Sequence, residues 1–232
     1  MKKENLLLLH GALGSKHQLK KLSDILKDSF DVSTINFEGH GDRFSDRNFS
    51  IEGFAQNVHQ WMNDEKIEST YIFGYSMGGY VALKYALMHP EKVKSIVTLG
   101  TKFHWTEEAA SKEVKMLNPQ KVEEKVPAFA AYLDKMHTRN NWKDVMSKTA
   151  DMMISMGRGE KLHTHDLNKI DHDVLICLGE LDNMVTMEES QRVASLLPNG
   201  RLKQMKNFQH PIEKIDFDEM AETIKDFLIK ST

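Results

Sequence analysis

The sequence is poor in cysteine, proline and glycine, with one, five and 13 of them among 232 residues. A single cysteine, Cys177, cannot form an intramolecular disulfide, which predicts a reducing, cytoplasmic environment. The remaining composition, 40% hydrophobic and 28% charged residues, excludes a disordered or fibrous chain. These values predict a globular protein, and the length suits one domain or one domain with an insertion.

Long hydrophobic runs and blocks of like charge are also missing. The first apolar run, residues 6–9, is shorter than the roughly seven to fifteen apolar residues in the core of a secretory signal. No run approaches the roughly 20 apolar residues of a membrane-spanning helix. Basic and acidic residues, 31 and 34 in number, are interspersed and give a net charge of −3. We therefore expect neither a membrane nor a nucleic acid as a partner.

Short apolar runs alternate with segments of helical periodicity. The predicted strands are residues 5–9, 31–36, 70–74, 93–99, 173–178 and 201–206. Their apolar residues are nearly continuous, as expected for strands that are covered on both faces. The alternation predicts an α/β fold with a mainly parallel sheet of about six strands and helices on both faces.

The alternation is interrupted once, between residues 100 and about 170. This segment has helical periodicity and no convincing strand, and it is too long for a structureless loop. We predict a core formed by residues 1–100 and 171–232, with a helical cap at residues 101–170. Six methionines lie between Met116 and Met156. They either line an adaptable acyl pocket or form ordinary helical core.

The strongest motif is Gly74-Tyr75-Ser76-Met77-Gly78, between a predicted strand and a predicted helix. A G-x-S-x-G pattern in this context is typical of a nucleophile elbow, where a sharp turn exposes the serine hydroxyl. The turn requires nearly side-chain-free positions two residues before and after Ser76. A serine needs a base to become a nucleophile, so the motif calls for a histidine elsewhere in the chain.

This strand–turn–helix context and the surrounding alternation resemble the α/β-hydrolase fold. In that family the catalytic triad follows the chain order serine, acid, histidine. His210 lies between the last predicted strand and a helix that we expect Pro211 to open. Asp182 matches the aspartate of the family's G-x-x-D-x-x-V pattern, and Glu180 is the alternative acid. The resemblance thus implies Ser76 as nucleophile, His210 as base and Asp182 as orienting acid.

The segment His10-Gly11-Ala12-Leu13-Gly14 resembles the family's His-Gly-x-x-Gly segment, which follows the corresponding strand. This resemblance implies that the backbone N–H groups of Ala12 and Met77 form the oxyanion hole. We interpret His10 as a support for this turn. Gly39-His40-Gly41 looks like a structural turn of the same family.

Two other groups of residues have alternative interpretations. His104 and Trp105 follow the strand that ends at Leu99, and either face the nucleophile and contact substrate or have a structural role. His163 and His165 lie near acidic residues, but their spacing matches no zinc pattern, so we expect a polar linker and no metal site.

Taken together, these features predict a serine hydrolase that cleaves a small-molecule carboxylic ester or thioester without a cofactor. Among family members the sequence looks similar to carrier-protein methyl esterases. It also resembles the menaquinone-pathway synthase, which uses the triad for elimination, so a lyase is the first alternative. The second alternative is a ligand receptor or signalling protein on the same fold.

Overall fold

The computed structural model describes residues 3–230. The predicted core ranges also include residues 1, 2, 231 and 232, which lie outside the described residues. The strands are β1 (Asn5–Leu9), β2 (Asp31–Thr34), β3 (Thr70–Tyr75), β4 (Val93–Leu99), β5 (Asp173–Gly179) and β6 (Asn199–Met205). The helices are α1 (Lys20–Leu26), α2 (Ile51–Asp64), α3 (Met77–Met88), α4 (Glu107–Glu113), α5 (Pro119–Lys125), α6 (Pro127–Met136), α7 (Trp142–Gly157), α8 (Thr164–Leu167), α9 (Met187–Leu196) and α10 (Phe217–Lys230).

The strands form one sheet in the order β2-β1-β3-β4-β5-β6, and every neighbouring pair is parallel. This confirms the predicted parallel sheet of about six strands. The strand order reverses at β1, because the chain adds β2 on one side of it and β3 on the other. In open α/β sheets, ligands bind at the carboxyl ends of the strands beside such a reversal.

Helices cover both faces of the sheet. Successive strand residues point to opposite faces, so a continuous apolar run places apolar side chains on both faces, and each face must be covered. On one face, Leu7 and Leu9 belong to a buried cluster that includes residues of α2, α3 and α9. On the other face, Leu6 and Leu8 pack in a second cluster with residues of α1 and α10. A strand covered on both faces needs nearly continuous apolar residues, which explains the run of leucines.

The connection from β4 to β5 contains helices α4 to α8 and no strand within the described residues. Helices α4 and α7 pack closely at Gly157, where an added Cβ would lie 2.7 Å from the Cβ of Ala110. Buried residues of α7, including Met152 and Met156, join the cluster on the α2–α3 side of the sheet. This packing brings α7 towards the carboxyl ends of β1 and β3.

The last helix begins later than the sequence suggested. Pro211 does not open it; residues 212–214 form a short 3₁₀ turn, and α10 starts at Phe217. The Asp216 carboxylate accepts hydrogen bonds of 3.0 Å from the N–H groups of Asp218 and Glu219. An aspartate in this position satisfies free N–H groups at a helix start, whereas proline supplies only a suitable φ.

Within residues 3–230, none of the helices is long and apolar enough to cross a membrane.

Candidate active site

Ser76 occupies the turn between β3 and α3 in a conformation that is rare for a side-chain-bearing residue. Its φ is 51° and its ψ is −117°. Two hydrogen bonds to β4 and to the loop after it stabilise this turn. The Ser76 N–H donates to the Leu99 carbonyl at 2.8 Å, and the Thr101 hydroxyl donates to the Ser76 carbonyl at 3.0 Å. Such strain costs on the order of 1–3 kcal/mol and persists only where the surroundings impose it.

The two glycines that flank this turn leave no room for a side chain. A Cβ on Gly74 would lie 2.4 Å from the Cα of Gly79, and one on Gly78 would lie 2.3 Å from the Leu9 carbonyl oxygen. The close approach brings the start of α3 against the end of β1. The Ser76 hydroxyl lies above the N-terminus of α3, and no group among the described residues forms a hydrogen bond with it.

His210 and Asp182 form a hydrogen-bonded pair at the carboxyl ends of β6 and β5. His210 Nδ1 donates to Asp182 Oδ2 at 2.8 Å, and the two side chains are 9% and 1% exposed. Asp182 Oδ1 accepts from the N–H groups of Met184 and Val185 at 2.8 and 3.0 Å. Burial opposes ionisation of Asp182, but these hydrogen bonds and the adjacent imidazole outweigh it, so the pKa of Asp182 lies below its usual value.

Two residues that the sequence analysis did not assign support this pair. Gly100 has a φ of +60°, and an added Cβ would lie 3.2 Å from Asp182 Oδ2 and 3.3 Å from His210 Nδ1. The Tyr75 hydroxyl, directly before Ser76, donates to the His210 carbonyl at 2.9 Å. The pair is therefore positioned from β3 and β4 as well as by its own loops.

The alternative acid, Glu180, points elsewhere. Its carboxylate accepts a 3.1 Å hydrogen bond from the N–H of Asn207, which has a positive φ of 61° in the turn after β6. Its own N–H donates to the Met205 carbonyl. Glu180 thus stabilises the turn that precedes His210, while Asp182 contacts the imidazole.

Ala12 and Met77 lie side by side with Ser76 in the wall of one cavity. Within residues 3–230, neither backbone N–H donates a hydrogen bond: Met77 is the first residue of α3, and Ala12 lies in the turn after β1. The first N–H groups of a helix have no partner inside it. Two free donors next to a serine hydroxyl provide a site for a developing negative charge on oxygen.

Three buried histidines lie beneath the turn that contains Ala12. His10 Nδ1 donates to the Gly11 carbonyl at 2.8 Å, and its Nε2 accepts from the Phe37 N–H at 3.3 Å. Its ring centroid is 5.2 Å from that of His40, and the rings of His40 and His137 are 5.7 Å apart. Burial lowers the pKa of all three, that of His10 to about 4, so the cluster is neutral at neutral pH.

His137 is the member of this cluster that the sequence analysis missed. It follows α6, yet its Nε2 donates to the Leu13 carbonyl at 3.2 Å and its Nδ1 accepts from the Gly41 N–H at 3.0 Å. Leu13 itself has a positive φ of 57°. His137 therefore ties the β4–β5 connection to the turn that carries Ala12. A histidine 124 residues away in the chain gives no local sequence signal for such a contact.

The cavity above Ser76 has a volume of about 60 Å³ and is mostly apolar. Its wall contains three methionines of α7 and an ion pair of 3.2 Å between Lys102 and Glu113. The residues that line it are Ala12, Ile51, Ser76, Met77, Tyr80, Lys102, Trp105, Glu113, Met152, Met153, Met156, Met184, Val185 and His210. Ser76 and His210 thus face one apolar space whose far wall belongs to the β4–β5 connection.

His104 and Trp105 separate in the structure. Trp105 is buried, lines the cavity and donates from its indole N–H to the Lys102 carbonyl at 3.1 Å. His104 is exposed and is not among the residues that line the cavity. His163 and His165 stack on each other with ring centroids 5.6 Å apart, also away from the cavity. Residues 3–230 contain no group of three or more histidine, cysteine or acidic residues placed to hold a metal ion.

Comparison with known proteins gives a family match over more than half of the chain. The model of the α/β hydrolase fold family matches residues 4–137. The uncharacterized hydrolase YugF of Bacillus subtilis is 24% identical over 97% of this chain and 90% of its own length. A pimeloyl-[acyl-carrier protein] methyl ester esterase of Neisseria meningitidis is 35% identical over 38% of this chain, and the match spans only 33% of that protein.

Solved structures agree with the fold. A thermophilic esterase from Thermogutta terrifontis superimposes with a TM-score of 0.80 at 18% identity, over 99% of this chain and 91% of its own. The meta-cleavage product hydrolase CumD of Pseudomonas fluorescens gives a TM-score of 0.79 at 19% identity, over 100% and 92% of the two chains. At these identities the likeness concerns the fold alone.

The histidine cluster predicts a loss of stability in mild acid. The folded state leaves His10 unprotonated down to about pH 4, whereas the unfolded chain protonates it below about pH 6.5. The contribution of His10 to the free energy of unfolding is therefore fully present above about pH 6.5. It is lost as the pH falls from about 6.5 to about 4, which lowers the free energy of unfolding by on the order of 3 kcal/mol for His10 alone. Urea unfolding across this range measures the fall.

The His10→Gln variant is the matched control for this prediction. Glutamine can donate and accept hydrogen bonds but does not titrate, so the variant should lose less stability between neutral and mildly acidic pH. The same pH dependence in wild type and variant would contradict the assignment of the effect to His10.

Proposed function

Because this chain belongs to the α/β hydrolase family, we propose that it is a serine hydrolase that cleaves a carboxylic ester or thioester of a small molecule. The observation that carries the proposal is the 2.8 Å hydrogen bond from His210 to Asp182, beside a cavity that Ser76 also lines. In this proposal Ser76 is the nucleophile, His210 the general base and acid, and Asp182 the orienting carboxylate.

The first step is attack on the acyl carbon by Ser76 Oγ. His210 Nδ1 carries the proton that it shares with Asp182, so Nε2 has the lone pair that accepts the serine proton. Asp182 stabilises the imidazolium that results. The hydroxyl and the imidazole need to come within hydrogen-bonding distance for this transfer, and such contacts are often looser before a substrate is bound.

Negative charge then develops on the carbonyl oxygen of the substrate. The free N–H groups of Ala12 and Met77 support its stabilisation as an oxyanion hole, together with the N-terminal end of the α3 dipole. Removing one such donor typically costs on the order of 3 kcal/mol in the barrier. The contacts of His10 and His137 hold the turn that carries Ala12.

Collapse of the tetrahedral intermediate breaks the bond to the leaving group. His210 returns its proton to the departing alcohol or thiol, and the acyl group remains on Ser76. Water then attacks the acyl-enzyme, with its proton taken by His210 and passed back to the serine. The products are a carboxylic acid and an alcohol or thiol, and the sequence of steps needs no metal or cofactor.

We also propose that residues 101–170 act as a cap that shapes the acyl pocket. Trp105, Glu113 and the α7 methionines Met152, Met153 and Met156 line the cavity from this segment. Methionine is flexible and polarisable, which suits apolar acyl groups of varied shape. His104 is exposed outside the cavity, so we do not propose it as a substrate contact.

Features of the cavity favour hydrolysis over the lyase alternative. The synthase that the sequence resembles binds a carboxylate-rich substrate with arginines. Among the described residues that line this cavity, the cation is Lys102, whose charge is matched by Glu113 at 3.2 Å. A mostly apolar wall with a neutral ion pair suits an uncharged ester better than a substrate with several carboxylates.

The Ser76→Ala variant tests the nucleophile. It should lower the turnover of p-nitrophenyl esters by a factor of about 10³ or more, because no hydroxyl remains to be acylated. The control is Ser147→Ala, an exposed serine that should leave turnover unchanged. Near-normal turnover by Ser76→Ala would overturn the mechanism, and wild-type protein that reacts only once per molecule would favour the ligand-receptor alternative.

The acid is tested by comparing Asp182→Asn with Glu180→Gln. Asparagine retains the shape but does not stabilise the imidazolium, so kcat should fall by about 10³-fold or more. Glu180→Gln removes a carboxylate that bonds only to the turn at Asn207 and should change kcat by no more than a factor of a few. Steady-state kinetics on folded proteins measures both, and the opposite ranking would reassign the acid.

A further inference from the structure

A second and larger cavity adjoins the one above Ser76. Its volume is about 550 Å³, compared with about 60 Å³ for the cavity at the serine. The two cavities share four residues of their walls: Ile51, Tyr80, Met152 and Met156. Two of these are methionines, whose flexible side chains can adapt to a chain that passes from one cavity to the other.

The larger cavity differs from the smaller one in its chemistry. Beyond the shared wall, six of the nine residues that line it are polar or charged, and the charges of these side chains balance. Lys84 pairs with Glu52 at 3.1 Å, and the Lys161 ammonium donates to the Trp105 carbonyl. Glu160 supplies the second carboxylate. A lining with equal numbers of cations and anions favours an uncharged polar group over an ion.

Tyr80 stands at the junction of the two cavities with an unused hydrogen-bond donor. Its side chain is 3% exposed, and its hydroxyl oxygen accepts a 2.8 Å hydrogen bond from the Leu162 N–H. Among the described residues, no acceptor takes the proton of the hydroxyl itself. Burial raises the pKa of Tyr80 well above its usual value, so the donor is retained throughout the neutral range.

The position of His210 decides which half of an ester would reach this cavity. The proposed general acid must lie beside the leaving-group oxygen, so the leaving group occupies the His210 side of the smaller cavity. The larger cavity shares Ile51, Tyr80, Met152 and Met156 with the smaller one, but His210, Met184 and Val185 do not line it. The acyl chain is therefore the half that runs towards Tyr80.

From this juxtaposition we infer that the larger cavity is a subsite for the distal end of the acyl chain, where Tyr80 donates to a hydrogen-bond acceptor. The substrate class is then an ester or thioester whose acyl chain passes Ile51 and the methionines and ends in an uncharged polar group such as a ketone, hydroxyl or amide. This inference rests on the proposed hydrolase function and specifies the acyl group.

The test compares two p-nitrophenyl esters with wild-type protein and Tyr80→Phe. One is the hexanoate, and the other is its analogue with a ketone on the penultimate carbon of the acyl chain. Wild type should prefer the keto ester in kcat/KM by about tenfold, the value of one net hydrogen bond, and Tyr80→Phe should abolish the preference. A merely structural role for Tyr80 would lower both rates equally and leave the ratio unchanged, which would overturn the inference.

Two further arms separate the possible outcomes. For a hexanoate ester with the ketone in its alcohol half, kcat/KM should be the same in wild type and Tyr80→Phe. If Tyr80→Phe changed kcat/KM for that ester alone, the larger cavity would be assigned to the leaving group. Tyr132→Phe, a half-exposed tyrosine of α6 that lines neither cavity, should leave all ratios unchanged. Absence of turnover by wild type with every ester contradicts the proposed function itself, whereas turnover without a Tyr80-dependent ratio contradicts only the acyl subsite.

Discussion

The hydrogen bond between His210 and Asp182 is the interaction on which the arrangement of the site depends. Asp182 is a carboxylate whose side chain is almost completely buried, and such a group is stable only when its oxygens are fully bonded. One oxygen takes the imidazole N–H and the other takes two backbone N–H groups of its own loop. These bonds hold the Asp182 carboxylate and the imidazole together and leave the opposite ring nitrogen, Nε2, free at the cavity that His210 and Ser76 both line.

The parallel sheet explains why residues far apart in the chain meet at this point. All six strands end at one edge, so the turns after β1, β3, β5 and β6 are brought together there. Each contributes a different element: free N–H groups, a strained serine, a carboxylate and an imidazole. Residues of the long connection after β4 line the cavity at this edge with mostly apolar side chains, and a less polar environment strengthens electrostatic interactions.

The sequence predicted the features that have a local signal. Continuous apolar runs marked the four inner strands, whereas the edge strands β2 and β6 are largely polar and partly exposed, so the prediction that they are covered on both faces was wrong. A glycine pattern and the family resemblance pointed to Ser76, Asp182 and His210. Contacts that arise only in three dimensions had no such signal: the His137 bonds to two distant turns, and the space that Gly100 leaves beside the acid–imidazole pair. The start of the last helix was also misplaced, because a capping aspartate competed with a proline signal.

Fluorophosphonate labelling followed by peptide mapping tests the central claim, the activation of Ser76 by an oriented imidazole, most directly. The reagent phosphonylates an activated serine without depending on the acyl specificity of the enzyme. We predict stoichiometric modification of Ser76 alone in the wild-type protein and a loss of labelling in a folded His210→Ala variant. Modification at another residue, or equally rapid labelling of Ser76 without the imidazole, would contradict it.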